Sequence, residues 1–392
     1  MNHSSFFTPV TLGRHILKNR IVLPPLTRQR STQPGNVANE LMAEYYQQRA
    51  GAGLLVTEGT QIEPRGQGYA WTPGIHTPEQ IVGWRKVTEA VHASDGVIFA
   101  QLWHVGRVSH TALQPNGDAP VSASAIATDR VSVFIETAPG VGALVPPSAP
   151  RALTTDEVQE LVQLYIQAAR NAMDAGFDGI ELHCANGYLV NQFISAHSNL
   201  RTDQYGGSLH NRLRFLREVV AGVAKCIGKE KVGVRFAPLF TTTDEARTYL
   251  GMVEEDPHTT YIEAIKVLQD VGIAYLSIAE ADWDDAPVMP QTFRRAVRDT
   301  FGGAIIYAGR YNAESGARLL ESGLADLVAF GRPFMANPDL PARIANDWPL
   351  NSLNPATVYG GDAEGYVNYP VYAEQLSLPT LFASPFRTAP LA

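Results

Sequence analysis

At 392 residues, 45% hydrophobic and 18% charged, the chain has an ordinary globular composition and could fill two average domains or one large α/β barrel. That is long enough for a sizeable core without disulfides or metals. A net charge of −8 argues against a nucleic-acid surface, which needs a basic stripe, but leaves room for a local basic cluster on a phosphate.

The two cysteines, Cys184 and Cys226, lack the CxxC spacing of a metal or redox site and read as reduced thiols. The opening MNHSSFFTPV has no basic region followed by a long apolar run, and no stretch approaches about 18 apolar residues. A cytoplasmic protein without a membrane partner is the expectation.

In chain order, a short β-rich run, a polar turn and a helical segment repeat. The strands are expected at 21–26, 54–60, 98–104, 179–185, 231–237, 274–280, 304–310 and 327–332. Helical segments fall at 78–93, 154–175, 207–226, 258–271, 290–300, 312–322 and 338–346. In 154–175, Val158, Leu161, Val162, Tyr165, Ala168 and Ala169 recur at helical spacing, and Thr154–Thr155 with Glu157 give a capped start.

This alternation predicts a single (β/α)8 TIM barrel over residues 1–370. A doubly wound sheet would need a phosphate-binding glycine loop after an early strand, and GAGLLV at 51–56 has Val56 where the third glycine belongs. The stretch 105–153, after the third strand, is too long for a barrel connection and is expected to form a hairpin or lid over the mouth. A second long connection is 238–257. The tail 371–392 carries Pro and Ser without periodicity and reads as poorly ordered.

Barrel enzymes work at the C-terminal ends of their strands. Those ends carry Pro25, Leu26 and Thr27; Gly59; Gln101 and Trp103; His183, Asn186 and Tyr188; Arg235; Gly309 and Arg310; Gly331 and Arg332. Gly-Arg after strand seven and again after strand eight suits a phosphate, with open N–H groups and two guanidinium forks. Pairing with surface acids is the plainer reading of either arginine alone.

Arg235 lies in the apolar strand KVGVRFA, where an unpaired guanidinium would cost several kcal/mol, so it must meet an anion. Either Glu181 or the anionic reduced form of a flavin ring would serve, and five donors can serve both.

GIELHCANGY at 179–188 runs from apolar strand to polar rim. His183 and Asn186 can both donate to one oxygen, which makes the β-carbon of a carbonyl or nitro compound electrophilic. Tyr188, a phenol with an ordinary pKa of about 10, can deliver a proton. Asn186–Gly187 also reads as a plain turn. Gln101 suits a pyrimidine edge, or backbone groups in a core. Tyr69, Trp103 and Tyr359 could wall an apolar pocket. Metal ligation is not expected: HxH and HExxH are absent.

These residues fall within longer motifs: HCANGYLVNQFISAHSNLRTDQYGGSLHNR (183–212), AEYYQQRA (43–50), AQLWHVGR (100–107), AFGRPFMANPDL (329–340) and GYVNYP (365–370). Across them the chain resembles the old yellow enzyme family of flavin-dependent ene-reductases over essentially its whole length. Thr27 places it in the family's threonine branch. The length and the cysteine count set aside long relatives with an iron–sulfur cluster.

The resemblance implies non-covalent FMN, with Pro25, Leu26, Thr27, Gly59, Gln101, His183 and Arg235 at the ring. It puts Gly309, Arg310, Gly331 and Arg332 at the phosphate. His183 and Asn186 would bind the substrate oxygen and Tyr188 would be the proton donor. Asn199, Arg201, Asp203 and Tyr205 read as structural.

The expected reaction is ping-pong reduction of α,β-unsaturated carbonyls and nitroalkenes by NADPH, with NADH as the other reductant. Nitrate esters and nitroaromatics are the alternative substrates. A non-catalytic FMN-binding protein is the alternative of a different class, and a hydrolase or aldolase would want paired carboxylates or a lysine at the strand ends. The expected state is monomer or homodimer.

Overall fold

The computed structural model describes residues 3–128, 131–240, 254–281 and 287–372. Eight parallel strands close into a barrel: β1 (Ile21–Leu23), β2 (Leu54–Val56), β3 (Ile98–Trp103), β4 (Gly179–His183), β5 (Val232–Phe236), β6 (Tyr275–Ala279), β7 (Ala304–Ala308) and β8 (Leu327–Ala329). Closure runs through β8 to β1, where Val328 faces Ile21 and Ala329 faces Val22. Every strand is at or near full burial on both faces, as a parallel sheet covered by helices must be. The (β/α)8 barrel expected from the alternation is the fold.

The helices that cover the strands include α1 (Glu40–Gln48), α2 (Pro78–His92), α3 (Thr155–Asp174), α4 (Arg214–Ile227), α5 (Pro257–Val271), α6 (Gln291–Thr300) and α7 (Ala313–Glu321). The capped start of α3 is real: the Thr154 hydroxyl accepts from the Glu157 N–H, and the Glu157 carboxylate accepts from the Thr154 N–H. The six apolar residues read at helical spacing all face the core. Helix α1 was not among the expected helices; its polar surface and YYQQ run obscure the periodicity.

Several strands are shorter than the sequence suggested. β1 stops at Leu23 because Pro24 and Pro25 cannot donate to a ladder. β7 and β8 stop before the Gly-Arg pairs, so Arg310 lies in a turn and Gly331–Arg332 open the short helix Gly331–Ala336.

Two additions frame the barrel. An amino-terminal hairpin (Val10–Leu12 with His15–Leu17) buries Leu12 and Leu17 against barrel-interior residues such as Val22, Phe99 and Leu327. After β3, strands Val133–Ala138 and Val141–Val145 form the expected lid hairpin. The Ala70 N–H donates to the Phe134 carbonyl at 2.8 Å, and the Trp71 and Phe134 rings meet edge-on at 5.2 Å. Of the second long connection, 241–253 lies outside the described residues, as does the tail from 373 to 392.

The motifs at 43–50 and 365–370 act together. The Tyr45 and Tyr366 rings stack at 4.1 Å, with the Arg49 guanidinium 3.8 Å over Tyr45 and that of Arg30 4.4 Å over Tyr366. Arg28, Arg30 and Arg49 donate to backbone carbonyls of Val358, Gly365, Asp362, Thr357, Phe334 and Met335 at 2.8–3.0 Å. Buried guanidiniums are thus paired with chain rather than with carboxylates. They strap the segment that carries Tyr359 onto the loop following β1.

Candidate active site at the carboxyl end of the barrel

The rim of β4 is made by a turn. Asn186 and Gly187 both adopt left-handed backbone, with φ of 57° and 75°, and the Gly187 N–H donates to Asn191 Oδ1 at 2.9 Å. The turn reading of this dipeptide and the site reading are therefore compatible: the reversal is what brings Asn186 over the barrel mouth. Tyr188 follows as the N-cap of the short helix Leu189–Ile194.

The expected site residues fall into two adjoining groups. Pro25, Leu26, Asn186, Arg235, Gly309, Gly331, Arg332 and Tyr359 line a cavity of about 610 Å³. Gly309, Gly331 and Arg332 also border a second cavity of about 370 Å³, which Arg310 lines as well. The two Gly-Arg pairs, 22 positions apart in sequence (Arg310 to Arg332), meet at one place. Two guanidinium-bearing residues beside glycines are, in type, what an anion site uses.

The second group is aromatic. The Trp103 indole lies 6.1 Å from the His183 ring in a stacked arrangement, 5.8 Å from Tyr69 and edge-on to Tyr188 at 5.0 Å. His183 and Tyr188 meet edge-on at 4.9 Å, and the Tyr69 and Tyr188 hydroxyls are 3.3 Å apart. Gly59 lies under this cluster, where a Cβ would be driven into the indole of Trp103. A steric need is therefore visible for this glycine without any ligand.

Thr27, half-buried, sits in the loop after β1; the neighbouring Arg28 and Gln29 N–H groups are held by Glu58 Oε2 at 3.1 and 3.2 Å.

His183 faces Arg235 in the β4–β5 register, and the two groups of residues join there. Burial, with Arg235 adding to it, pushes the imidazole pKa well below its usual range, so the ring is neutral at physiological pH. Its Nδ1 is buried with no hydrogen-bond partner among the described residues. A buried orphan of this kind calls for a ligand atom.

Arg235 donates to Ser277 Oγ at 3.3 Å. The expected Glu181 partnership takes a different form from a simple pair. Glu181 accepts from Gln101 Nε2 at 2.8 Å and from the Tyr275 hydroxyl at 3.0 Å, and feels Arg235 as a nearby positive charge.

Asn199, Arg201, Asp203 and Tyr205 brace the rim. Asn199 Nδ2 donates to the carbonyls of Phe193 and Tyr205 at 2.7 Å, Arg201 grips Asp203, and Tyr205 donates to Glu218 at 2.8 Å. The buried His104 ring is hydrogen-bonded to Glu63 at 3.1 Å, and no group of three or more potential metal ligands forms among the described residues. No described helix is long and apolar enough to cross a membrane.

Sequence reasoning passed over Met335, Leu353 and Val358, which add apolar lining, and Glu58. Only the spatial return of the 353–358 segment makes Leu353 and Val358 visible as lining.

The sequence profile of the NADH:flavin oxidoreductase / NADH oxidase family matches residues 5–351. The chain belongs to the old yellow enzyme family. It is 43% identical over 368 residues to putative 12-oxophytodienoate reductase 11 of Oryza sativa subsp. japonica, covering 93% of this chain and 96% of that protein. It is 40% identical to 12-oxophytodienoate reductase 2 of Arabidopsis thaliana, covering 93% and 94%.

Among solved structures, morphinone reductase superposes with a TM-score of 0.90 at 45% identity, covering 94% of this chain and 97% of the other. The old yellow enzyme homologue from Zymomonas mobilis gives 0.85 at 39%, covering 93% and 99%. Morphinone reductase is also known in complex with tetrahydroNAD. As an old yellow enzyme homologue, the protein is an FMN-dependent NAD(P)H oxidoreductase of the ene-reductase type.

The residues present fit that cofactor. The orphaned His183 Nδ1, the Arg235 guanidinium at the cavity wall and the paired Gly-Arg turns are, in type, what a flavin ring and a phosphate require.

Proposed function

We propose that this site reduces the activated C=C bond of α,β-unsaturated carbonyls and nitroalkenes, with His183 and Asn186 holding the activating oxygen and Tyr188 protonating the α-carbon. Pro25, Leu26, Thr27, Gly59, Gln101 and Arg235 would hold the ring of FMN, and Gly309, Arg310, Gly331 and Arg332 its phosphate. Bound to these residues, FMN would supply the hydride chemistry that links NADPH, with NADH as the other reductant, to the substrate's β-carbon.

The neutral His183 imidazole suits its part. A neutral ring donates one hydrogen bond without the strong charge that would immobilise an anion in the ground state, and the donor gains strength as charge grows on the oxygen. Tyr188 supplies its phenolic proton from the side of the pocket formed with Tyr69 and Trp103. These rings also exclude water from the carbon that receives it.

The observation that carries the reading is an imidazole with an orphaned nitrogen whose ring centre lies 4.9 Å from that of a phenol, at the rim of the barrel. Its test is anaerobic: the yellow protein is bleached with NADPH and then mixed with 2-cyclohexenone. Re-oxidation by the enone in wild type, and its loss in Tyr188→Phe with NADPH bleaching intact, supports the assignment. No change in either half-reaction would remove Tyr188 from the role of proton donor, whereas a wild-type flavin that the enone does not re-oxidise would favour a flavin-storing protein. Nitrate esters and nitroaromatics form a second substrate class, because the same two donors can hold a nitro oxygen.

A further inference from the structure

Glu181 is a buried carboxylate to which the reaction above gives no task. It lies within β4, 1% exposed, facing Gln101 of β3 on one side and Gly233 of β5 on the other. Gly233 in turn faces Tyr275 of β6. A Cβ at position 233 would strike the Tyr275 ring, so the phenol can cross β5 and reach Glu181 only because that strand has no side chain there. Four strands thus cooperate to hold one carboxylate: Gln101 Nε2 donates to Oε1 at 2.8 Å and the Tyr275 hydroxyl donates to Oε2 at 3.0 Å.

An apolar residue would fill this interior position at less cost, since a buried ion is destabilising unless fully compensated. The compensation here is elaborate. Burial pushes the Glu181 carboxyl up, while Arg235, Gln101 and Tyr275 oppose that rise. Two of the residues it touches electrostatically, Gln101 and Arg235, are those read above as contacts to the flavin ring.

Both Glu181 oxygens accept hydrogen bonds here, so the carboxylate decides which end of the Gln101 amide turns towards it. The NH2 end is committed to Glu181; the carbonyl oxygen and the second N–H remain for a ring edge that offers both a donor and an acceptor. The same negative charge opposes the positive field that Arg235 provides.

We propose that Glu181 is a positioning residue for the flavin: it fixes the orientation of the Gln101 amide and, through its charge, lowers the tendency of the bound flavin to be reduced. The proposal rests on the reading of Gln101 and Arg235 as ring contacts. Arg235 alone favours the reduced anionic ring; Glu181 sets how far.

The test is the reduction midpoint of the holoenzyme, measured against a reference dye, together with FMN affinity and melting temperature. Glu181→Gln keeps the volume and removes the charge. The reduced-to-oxidised ratio at fixed ambient potential is expected to rise about tenfold, which is ~30 mV for a two-electron couple. Tyr275→Phe keeps the charge and is expected to hold the ratio within twofold even where the melting temperature drops.

Should E181Q fail to fold, Glu181→Asp retains the charge and withdraws it from Gln101. Weaker FMN binding with an unchanged midpoint is then expected, and unchanged FMN affinity would overturn the positioning role. A midpoint in folded E181Q within twofold of wild type overturns the electrostatic role. Gln101→Ala with unaltered FMN affinity and flavin absorption spectrum is a different failure, removing the ring contact on which the proposal stands.

Discussion

The hydroxyl of Tyr69 lies 3.3 Å from that of Tyr188, and both rings pack on Trp103. Burial pushes the Tyr69 phenol up to about 12, so it stays protonated wherever the enzyme operates. On the proposed role of Tyr188 as proton donor, Tyr69 would be the neighbouring hydroxyl placed to donate to the oxygen left behind. Tyr188→Phe is expected to slow the enone half-reaction by about 10²–10⁴-fold. Tyr69→Phe is expected to slow it by about tenfold, a single lost hydrogen bond. Stopped-flow traces of flavin re-oxidation check both; equal rates in wild type and Tyr69→Phe would mean that the hydroxyl pair is only packing.

Arg310, in the bend after β7, and Arg332, at the start of the short helix after β8, line one cavity. Charge-assisted hydrogen bonds to a phosphate are worth about 1.5–3 kcal/mol each. Arg332→Ala is therefore expected to weaken FMN binding by about 10–100-fold while riboflavin binds as it does to wild type. Flavin fluorescence titration of the apoprotein measures this, and an equal loss for both flavins would place the arginine elsewhere than at the phosphate.

Glu58 is fully buried with Oε1 lacking a partner among the described residues, and burial pushes its carboxyl up to about 7. The folded protein thus holds a proton that the unfolded chain releases near pH 4.3. Its contribution to stability is complete below that value and is lost as pH rises towards 7. The wild-type minus Glu58→Gln difference in unfolding free energy is expected to fall by about 3 kcal/mol across this window and to be flat outside it. Urea midpoints at several pH values decide it. Parallel curves for the two proteins would mean that Glu58 titrates as in the unfolded chain.

The two thiols differ in access. Cys184 is buried, and burial, with Glu181 adding to it, pushes its thiol well above the usual range. Cys226 is half-buried on α4, with Arg170 Nη2 at 3.5 Å from its sulfur. One thiol is expected to react with an aromatic disulfide reagent in the native protein and the second only on unfolding. Two fast equivalents would mean that the β4 rim opens readily.

What could be read from the sequence was what is local. The capping box at Thr154, the six core residues of α3 and the alternation that specifies the barrel are set by neighbours in the chain. The Gly-Arg pairs were legible because they recur at equivalent strand ends. Glu58 and the Met335, Leu353 and Val358 linings were not, because each depends on a long-range return of chain to the mouth. Gly59 and Gly233 show a further limit: their lack of a side chain is explained by Trp103 and Tyr275, residues that meet them only across strands. A pair with Arg235 was one of two readings that periodicity offered for Glu181; its bonds to Gln101 and Tyr275 depend on register, which periodicity alone does not give.

The strap of Arg28, Arg30 and Arg49 onto carbonyls between 334 and 365 sets an order of events during synthesis. A ribosome makes β1 and the loop behind it first, yet β1 has no β8 neighbour, and the loop no anchor, until more than 300 further residues have emerged. Until then the strand edges of a growing half-barrel stay open to wrong pairing. The loop behind β1 thus gains its anchor only after residue 365 has been made, which places completion of the barrel mouth late in synthesis.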